Sequence, residues 1–164
     1  MEKSFCPTCG KKYHIEIGDY CFRESGLDNV WLEDVEILNC DCGQSASVPR
    51  VPDILAIIAD IIIKQNSMLS GKEIRFLRKN MWVKAGDFAA MLEVDPLTLA
   101  KWEAGEESPA PYLDKRIRFV YAMWIGKKEL AIQIARDIYQ ETTQNKLIHI
   151  PVSALKSMSR PLNC

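Results

Sequence analysis

The chain has 164 residues, 48% of them hydrophobic and 26% charged, with a formal net charge of -1 at pH 7. That composition argues against disorder and leaves room for one ordinary domain or two small ones. The longest apolar run, Ile54 to Ile63, is interrupted by Asp60 and too short to span a bilayer. The N-terminus carries no long apolar stretch of the signal-peptide kind. A cytoplasmic location with no membrane partner is therefore expected.

The charge is unevenly spread. Residues 1–50 hold 5 basic and 9 acidic side chains, residues 71–105 hold 6 and 5, and residues 106–164 hold 9 and 6. Within 72–84 the cations Lys72, Arg75, Arg78, Lys79 and Lys84 face only Glu73. A local basic stripe of this kind can hold phosphates on a protein that is neutral overall.

In chain order, residues 1–50 offer turn formers and short alternating runs, Tyr13–Ile17 and Val35–Leu38, which read as strands. Pro49 and Pro52 punctuate the chain, and a helix over about Pro52–Gln65 is so continuously apolar that it is expected to pack on both sides. A helix over Gly71–Asn80, with Ile74, Leu77 and Arg78 recurring on one face, is followed by a short one over Ala85–Leu92 with Phe88, Ala89 and Leu92 inward. Asp95-Pro96 is an N-cap with a first-turn proline, opening a helix that ends at Gly105. Further helices are expected over Tyr112–Trp124 and Lys127–Glu141. In them Ile117, Val120, Tyr121, Trp124, Leu130, Ile134 and Ile138 form apolar faces that read as core. A weak strand pattern covers Lys146–Val152.

Of six cysteines, four form two close pairs, Cys6-Pro7-Thr8-Cys9-Gly10 and Cys40-Asp41-Cys42-Gly43. In a cytoplasmic chain such pairs point to metal chemistry before disulfides. Four thiolates in a tetrahedron suit a closed structural zinc site, so Zn2+ held by Cys6, Cys9, Cys40 and Cys42 is the expected cofactor. The C-x-C spacing of the second pair is less usual than C-x2-C, and Cys21 or His14 remain alternative ligands. A redox pair lacks a βαβ context, and a partial site of buried cysteines is the plainest competing reading. Four thiolates leave no open position for catalysis. No Ser/His/Asp arrangement or phosphate-binding glycine loop is present, and neither His14 nor His149 has a catalytic neighbourhood, so no enzymatic activity is expected.

The stretch Gly71–Asn80, Val83–Leu92 and Asp95–Gly105 resembles the helix-turn-helix of the Cro/repressor (XRE) class. Phe88-Ala89-Ala90, the Val94-Asp95 turn, Leu99, Trp102, Glu103 and Gly105 carry the likeness. The resemblance implies a recognition helix opened by Asp95, with Leu99 and Trp102 inward and Leu97, Thr98 and Lys101 outward toward a major groove. The DNA-contacting set is then Arg75, Arg78, Lys79, Lys84, Pro96, Leu97, Thr98 and Lys101. The sequence departs from the class at Ala85, where a phosphate-contacting glutamine is usual. The outward residues also include no Arg, Asn or Gln for bidentate base contacts. A scaffold that keeps the fold without DNA affinity is the competing reading.

With the cysteine pairs and the phrase Gly71-Lys-Glu-Ile-Arg-Phe-Leu-Arg-Lys79, the chain resembles the MqsA/YgiT-type zinc-finger plus helix-turn-helix proteins over residues 5–105. The resemblance implies a mostly α fold with a small β-containing zinc domain and a lambda-repressor-like five-helix domain. The expected divisions are 1–50 zinc knuckle, 51–66 connecting helix, 67–126 helix-turn-helix and 127–164 C-terminal helix and tail. It implies a homodimeric repressor of transcription on double-stranded DNA, or an antitoxin that neutralises a toxin protein through the zinc domain.

Overall fold

The computed structural model describes residues 5–6, 8–136 and 148–151. Among them a small sheet and six helices make a mixed α/β architecture. Two compact units emerge: Met1–Arg23, Asp28–Ile54 and Leu147–Cys164 in one, Glu24–Leu27 and Leu55–Lys146 in the other.

In the first unit, β1 (His14–Cys21), β2 (Val30–Cys40) and β3 (Gly43–Ser47) form an antiparallel sheet in the order β1-β2-β3. β1 runs along one edge of β2, from His14 opposite Asn39 to Cys21 opposite Trp31. The other edge of β2 is shared. β3 pairs antiparallel with its C-terminal half, and β4 (Ile148–Pro151) pairs parallel with Val30–Glu33. The expected terminal strand thus forms, although no sequence pattern marks its place in this sheet.

The burial of β2 explains a pattern that simple alternation would miss. Val30 and Leu32 are buried, and so are Val35 and Ile37, so the inward parity switches between Leu32 and Val35. The register shifts at this point, two β2 residues facing one of β1, and Asp34 takes a φ of +57°. A bulge adds one residue and so keeps both apolar pairs on one face. Aspartate is among the residues that tolerate the left-handed conformation.

α1 (Val51–Lys64) buries Ile54, Ile58, Ile62 and the neighbouring Ala59 and Ile63, while Ala56 and Ile61 are exposed. The helix is amphipathic and does not pack on both sides as its apolar run suggested. The division at Ile54 and Leu55 makes most of α1 part of the helical unit, where a connector was expected.

In the helical unit, α2 (Gly71–Asn80), α3 (Ala85–Leu92) and α4 (Pro96–Ala104) follow the expected boundaries. Ser70 and Glu73 form a reciprocal capping box at the start of α2. Asp95 accepts the Leu97 N–H at 2.8 Å to open α4, and Gly105, at φ +78°, closes it. α5 (Pro111–Trp124) and α6 (Lys128–Arg136) follow, with α2 and α3 packed on both α4 and α5, and α6 on α5. The expected helical residues 137–141, with Ile138 among them, lie outside the described residues. Ile117, Tyr121 and Ile134 are buried as expected, Val120 and Leu130 half-buried. Trp124, read as core, is 53% exposed, since it sits in the last turn of α5 beyond the packed stripe.

One polar network lies at the centre of this unit. Arg118 and Asp114 of α5, both buried, pair at 2.7 Å. Asp114 also accepts the Leu69 N–H at 2.7 Å. Arg118 donates to the carbonyls of Ile62, Gln65 and Ser67. Gln65 in turn donates to Glu73 at 3.0 Å. Removing one partner of such a pair leaves a buried charge unmatched. Asp114→Ala is therefore expected to cost about 3–5 kcal/mol in denaturant unfolding. Asp114→Asn, which keeps an oxygen for the Leu69 N–H, should cost less.

Candidate metal centre and helical interface

The first cysteine pair sits on a tight turn. The Gly10 N–H donates to the Cys6 carbonyl at 2.8 Å, the Cys6 N–H donates to that of Lys11 at 2.7 Å, and Gly10 takes a φ of +71°. The second pair is built by a two-residue hairpin. Cys40 ends β2 opposite Gly43, which begins β3, so Asp41 and Cys42 form the turn. That hairpin accounts for the C-x-C spacing, because the chain reverses between the two cysteines and returns Cys42 toward Cys40. An exposed ion pair, Lys11 to Asp41 at 2.9 Å, links the two turns.

The result is one cluster. The sulfurs of Cys6, Cys9, Cys40 and Cys42 all lie within 4.8 Å of one another. Cys6 and Cys42 approach to 3.5 Å, and Cys9 and Cys40 to 3.2 Å. A metal–sulfur bond of about 2.3 Å places the sulfurs of a tetrahedron about 3.8 Å apart, so the set fits one four-coordinate ion. It does not fit disulfides, whose S–S bond is about 2.05 Å, and all four thiols are free. The alternatives fall outside the cluster: neither His14 nor Cys21 joins it, and Cys21 points at the Asp28 carbonyl.

The thiols are electrostatically unequal. Cys6 is held down at about 6, first by the backbone N–H of Cys9 and then by that of Thr8. Cys42 is pushed up to about 12, first by its contact with Cys6 and then by Cys9 and Cys40. For Cys9 the Lys11 N–H works to lower the value, but the contact with Cys40 and desolvation outweigh it, and the net shift is upward. Four thiolates this close repel one another unless a cation lies among them.

On the helical unit, α4 turns Leu99, Trp102 and Glu103 inward. Phe88 is also buried, as expected for core. Pro96 is exposed, Leu97 is 66% exposed, and Thr98 and Lys101 are half-buried on the outer side. Lys101 binds Glu107 at 2.7 Å, which raises its pKa. Lys79 and Lys84 are exposed and make no ion pair among the described residues. Arg75 is half exposed, 3.4 Å from Glu103.

Arg78 departs from expectation. Grouped by sequence with the phosphate-contacting cations, it instead grips the buried Glu103 through Nε at 2.6 Å and Nη2 at 2.8 Å, and donates to the Val83 carbonyl. The hydrogen bond with Glu103 raises its pKa. A carboxylate buried in α4 needs a counter-charge, and Arg78 supplies it.

Three features escaped sequence reasoning. A Cβ on Gly71 would lie 2.2 Å from the Trp102 carbonyl oxygen, so α2 starts hard against the end of α4. Trp82, in the turn after α2, is 94% exposed at φ +59°. The Asp114–Arg118 pair was legible only as an i,i+4 opposite-charge spacing.

Compared with protein-family models, curated proteins and solved structures, the chain has no match. Among the described residues no helix is long and apolar enough to cross a membrane.

Protons and a metal compete for the same sulfurs, so affinity should rise with pH and be lost on acidification. A metal would have to displace protons from thiols held up, those of Cys9 and Cys42, whereas Cys6, held down at about 6, gives up its own more readily. Below about pH 6 Cys6 is protonated too, and the dependence steepens. Calorimetry of zinc binding in buffers of different ionisation enthalpy should show proton release at pH 7. Cys42→Ser should lose tight binding.

Proposed function

We propose that the chain is a sequence-specific regulator of transcription that binds double-stranded DNA as a homodimer, with zinc as the structural ion of its cysteine cluster. The observation that carries this reading is the mounting of α4. Its inner side is buried through Leu99, Trp102 and Glu103, and the opposite side is open at Pro96, Leu97, Ala100 and Ala104. An exposed helix that follows a short helix and a turn, with Lys79 and Lys84 nearby in sequence, is the element such proteins place in the major groove. Leu97 has the chemistry to meet thymine methyl groups, and Lys101, once released from Glu107, to reach a guanine or a phosphate. The zinc reading rests on four sulfurs that all lie within 4.8 Å of one another and on the preference of zinc for closed thiolate sites.

Support for the dimer comes from α5. Tyr112, Phe119 and Met123 are exposed and recur at helical spacing along one side, where a second copy would bury them. A second reading, an antitoxin that neutralises a partner protein through the metal-bearing unit, is favoured by Ile15 and Ile17. These are 59% and 73% exposed on β1, whose outer edge pairs with no strand among the described residues. A neighbouring small reading frame that is toxic alone and silenced by co-expression of this chain would select it.

The DNA reading is tested by binding the full chain to its own upstream DNA across a salt series. If Arg75, Lys79 and Lys84 of each protomer meet phosphates, the logarithm of affinity should fall against that of salt with a slope of about -5. Salt-insensitive or absent binding would falsify it. Leu97→Ala and Thr98→Ala should alter sequence preference, whereas Arg78→Ala should lower stability by about 3–5 kcal/mol by stranding Glu103.

A further inference from the structure

Trp82 is the most exposed large hydrophobic side chain among the described residues, at 94%. It also occupies a backbone conformation, φ +59°, that a bulky side chain adopts only at a cost. The conformation is held firmly. The Trp82 N–H donates to the Lys79 carbonyl and the Val83 N–H to that of Arg78, while the Arg78 guanidinium fixes the Val83 carbonyl and Glu103 together. A strained, solvent-facing indole thus stands on a turn clamped to α4. Nothing in the packing of the unit requires its ring.

The surroundings specify what such a ring would meet. Lys79 lies three residues before it and Lys84 two residues after it. Both are exposed and without an ion-pair partner among the described residues. Between Arg75 and Leu92 the acidic residue is Asp87 alone. An indole offers one N–H donor and a flat apolar face, and an exposed lysine lies on either side of it in the sequence. Phosphate with deoxyribose presents the complement, an anionic oxygen beside an apolar sugar.

We propose that Trp82 is a DNA-contacting residue that docks on the sugar–phosphate backbone of a duplex, its Nε1–H donating to a phosphate oxygen between the phosphates taken by Lys79 and Lys84. This rests on the duplex-binding reading above and extends the interface from α4 to the turn between α2 and α3. Because a backbone contact carries no sequence information, it also operates on non-specific duplex. No operator is needed to test it.

The test measures binding of the full chain to a mixed-sequence duplex by fluorescence anisotropy, alongside thermal melting. Trp82→Gly removes the indole and relieves the left-handed strain, so its melting temperature should not fall. Its affinity should drop about tenfold for each protomer engaged, the scale of one lost hydrogen bond to a charged group. Trp82→Phe keeps a ring without the N–H and should also weaken binding, with the wild-type melting temperature. Lys79→Ala with Lys84→Ala should flatten the salt slope by about 2 per protomer. If the wild type binds and both Trp82 variants bind as tightly, the inference fails while the DNA reading stands. If the wild type ignores duplex even at low salt, both fail. If a single strand binds more tightly than the duplex, with that preference lost in the variants, the ring stacks on bases and the backbone contact is overturned.

Discussion

The guanidinium of Arg118 organises the helical unit. A buried cation is tolerable only when its charge is matched and its donors are used. Asp114, one turn earlier on α5, matches the charge, and the carbonyls of Ile62, Gln65 and Ser67 take three further donors. Those carbonyls belong to the end of α1 and to the irregular segment after it, where backbone groups lack helical partners. A single side chain therefore ties down three carbonyls at this connection. Asp114 adds the Leu69 N–H, which leaves Ser70 placed to cap α2.

From Ser70 the constraint passes to the outward surface. The capping box fixes the first turn of α2, and Gly71 brings that turn against the last carbonyls of α4 more closely than any side chain would allow. Further along α2, Arg78 holds Glu103 of α4. Both contacts act on the C-terminal half of α4, whose N-terminal half needs only its own cap, Asp95. The first turn of α4, with Leu97 and Thr98, is thereby presented by a rigid base without being packed over. The unit that carries the cysteine cluster is built differently. Its sheet is small, a core of that size stabilises weakly, and the cysteine cluster joins two turns far apart in sequence.

The legible parts of this chain were those set by local rules. Asp95-Pro96 and Gly105 fixed both ends of α4, and the spacing of Phe88, Ala89 and Leu92 fixed the inner side of α3. The four cysteines were visible as pairs, and the hairpin between β2 and β3 explains why an unusual spacing still closes one cluster. What could not be read depends on partners distant in sequence. The parallel pairing of β4 with β2 joins opposite ends of the chain. Gly71 looks like any helix-start residue until α4 is laid across it. The role of Arg78 depends on a glutamate 25 positions away, so its helical spacing sets it on the face of Ile74 and Leu77 without marking it as the partner of Glu103.

That distinction changes the electrostatic argument for a nucleic-acid partner. By sequence, residues 72–84 set five cations against one acid. In three dimensions Glu73 is consumed by its capping box, and Arg78 by Glu103. Lys101 is engaged by Glu107, and Arg75 is partly drawn toward Glu103. Lys72 also has a partner, and Lys79 and Lys84 are left as exposed cations without an ion pair among the described residues, too few for one protomer to hold a duplex firmly at physiological salt. On the proposed reading, affinity must come from duplication. A second protomer doubles the phosphate contacts at the high effective concentration of a linked pair. The exposed stripe of Tyr112, Phe119 and Met123 would then make association of two copies part of DNA recognition itself.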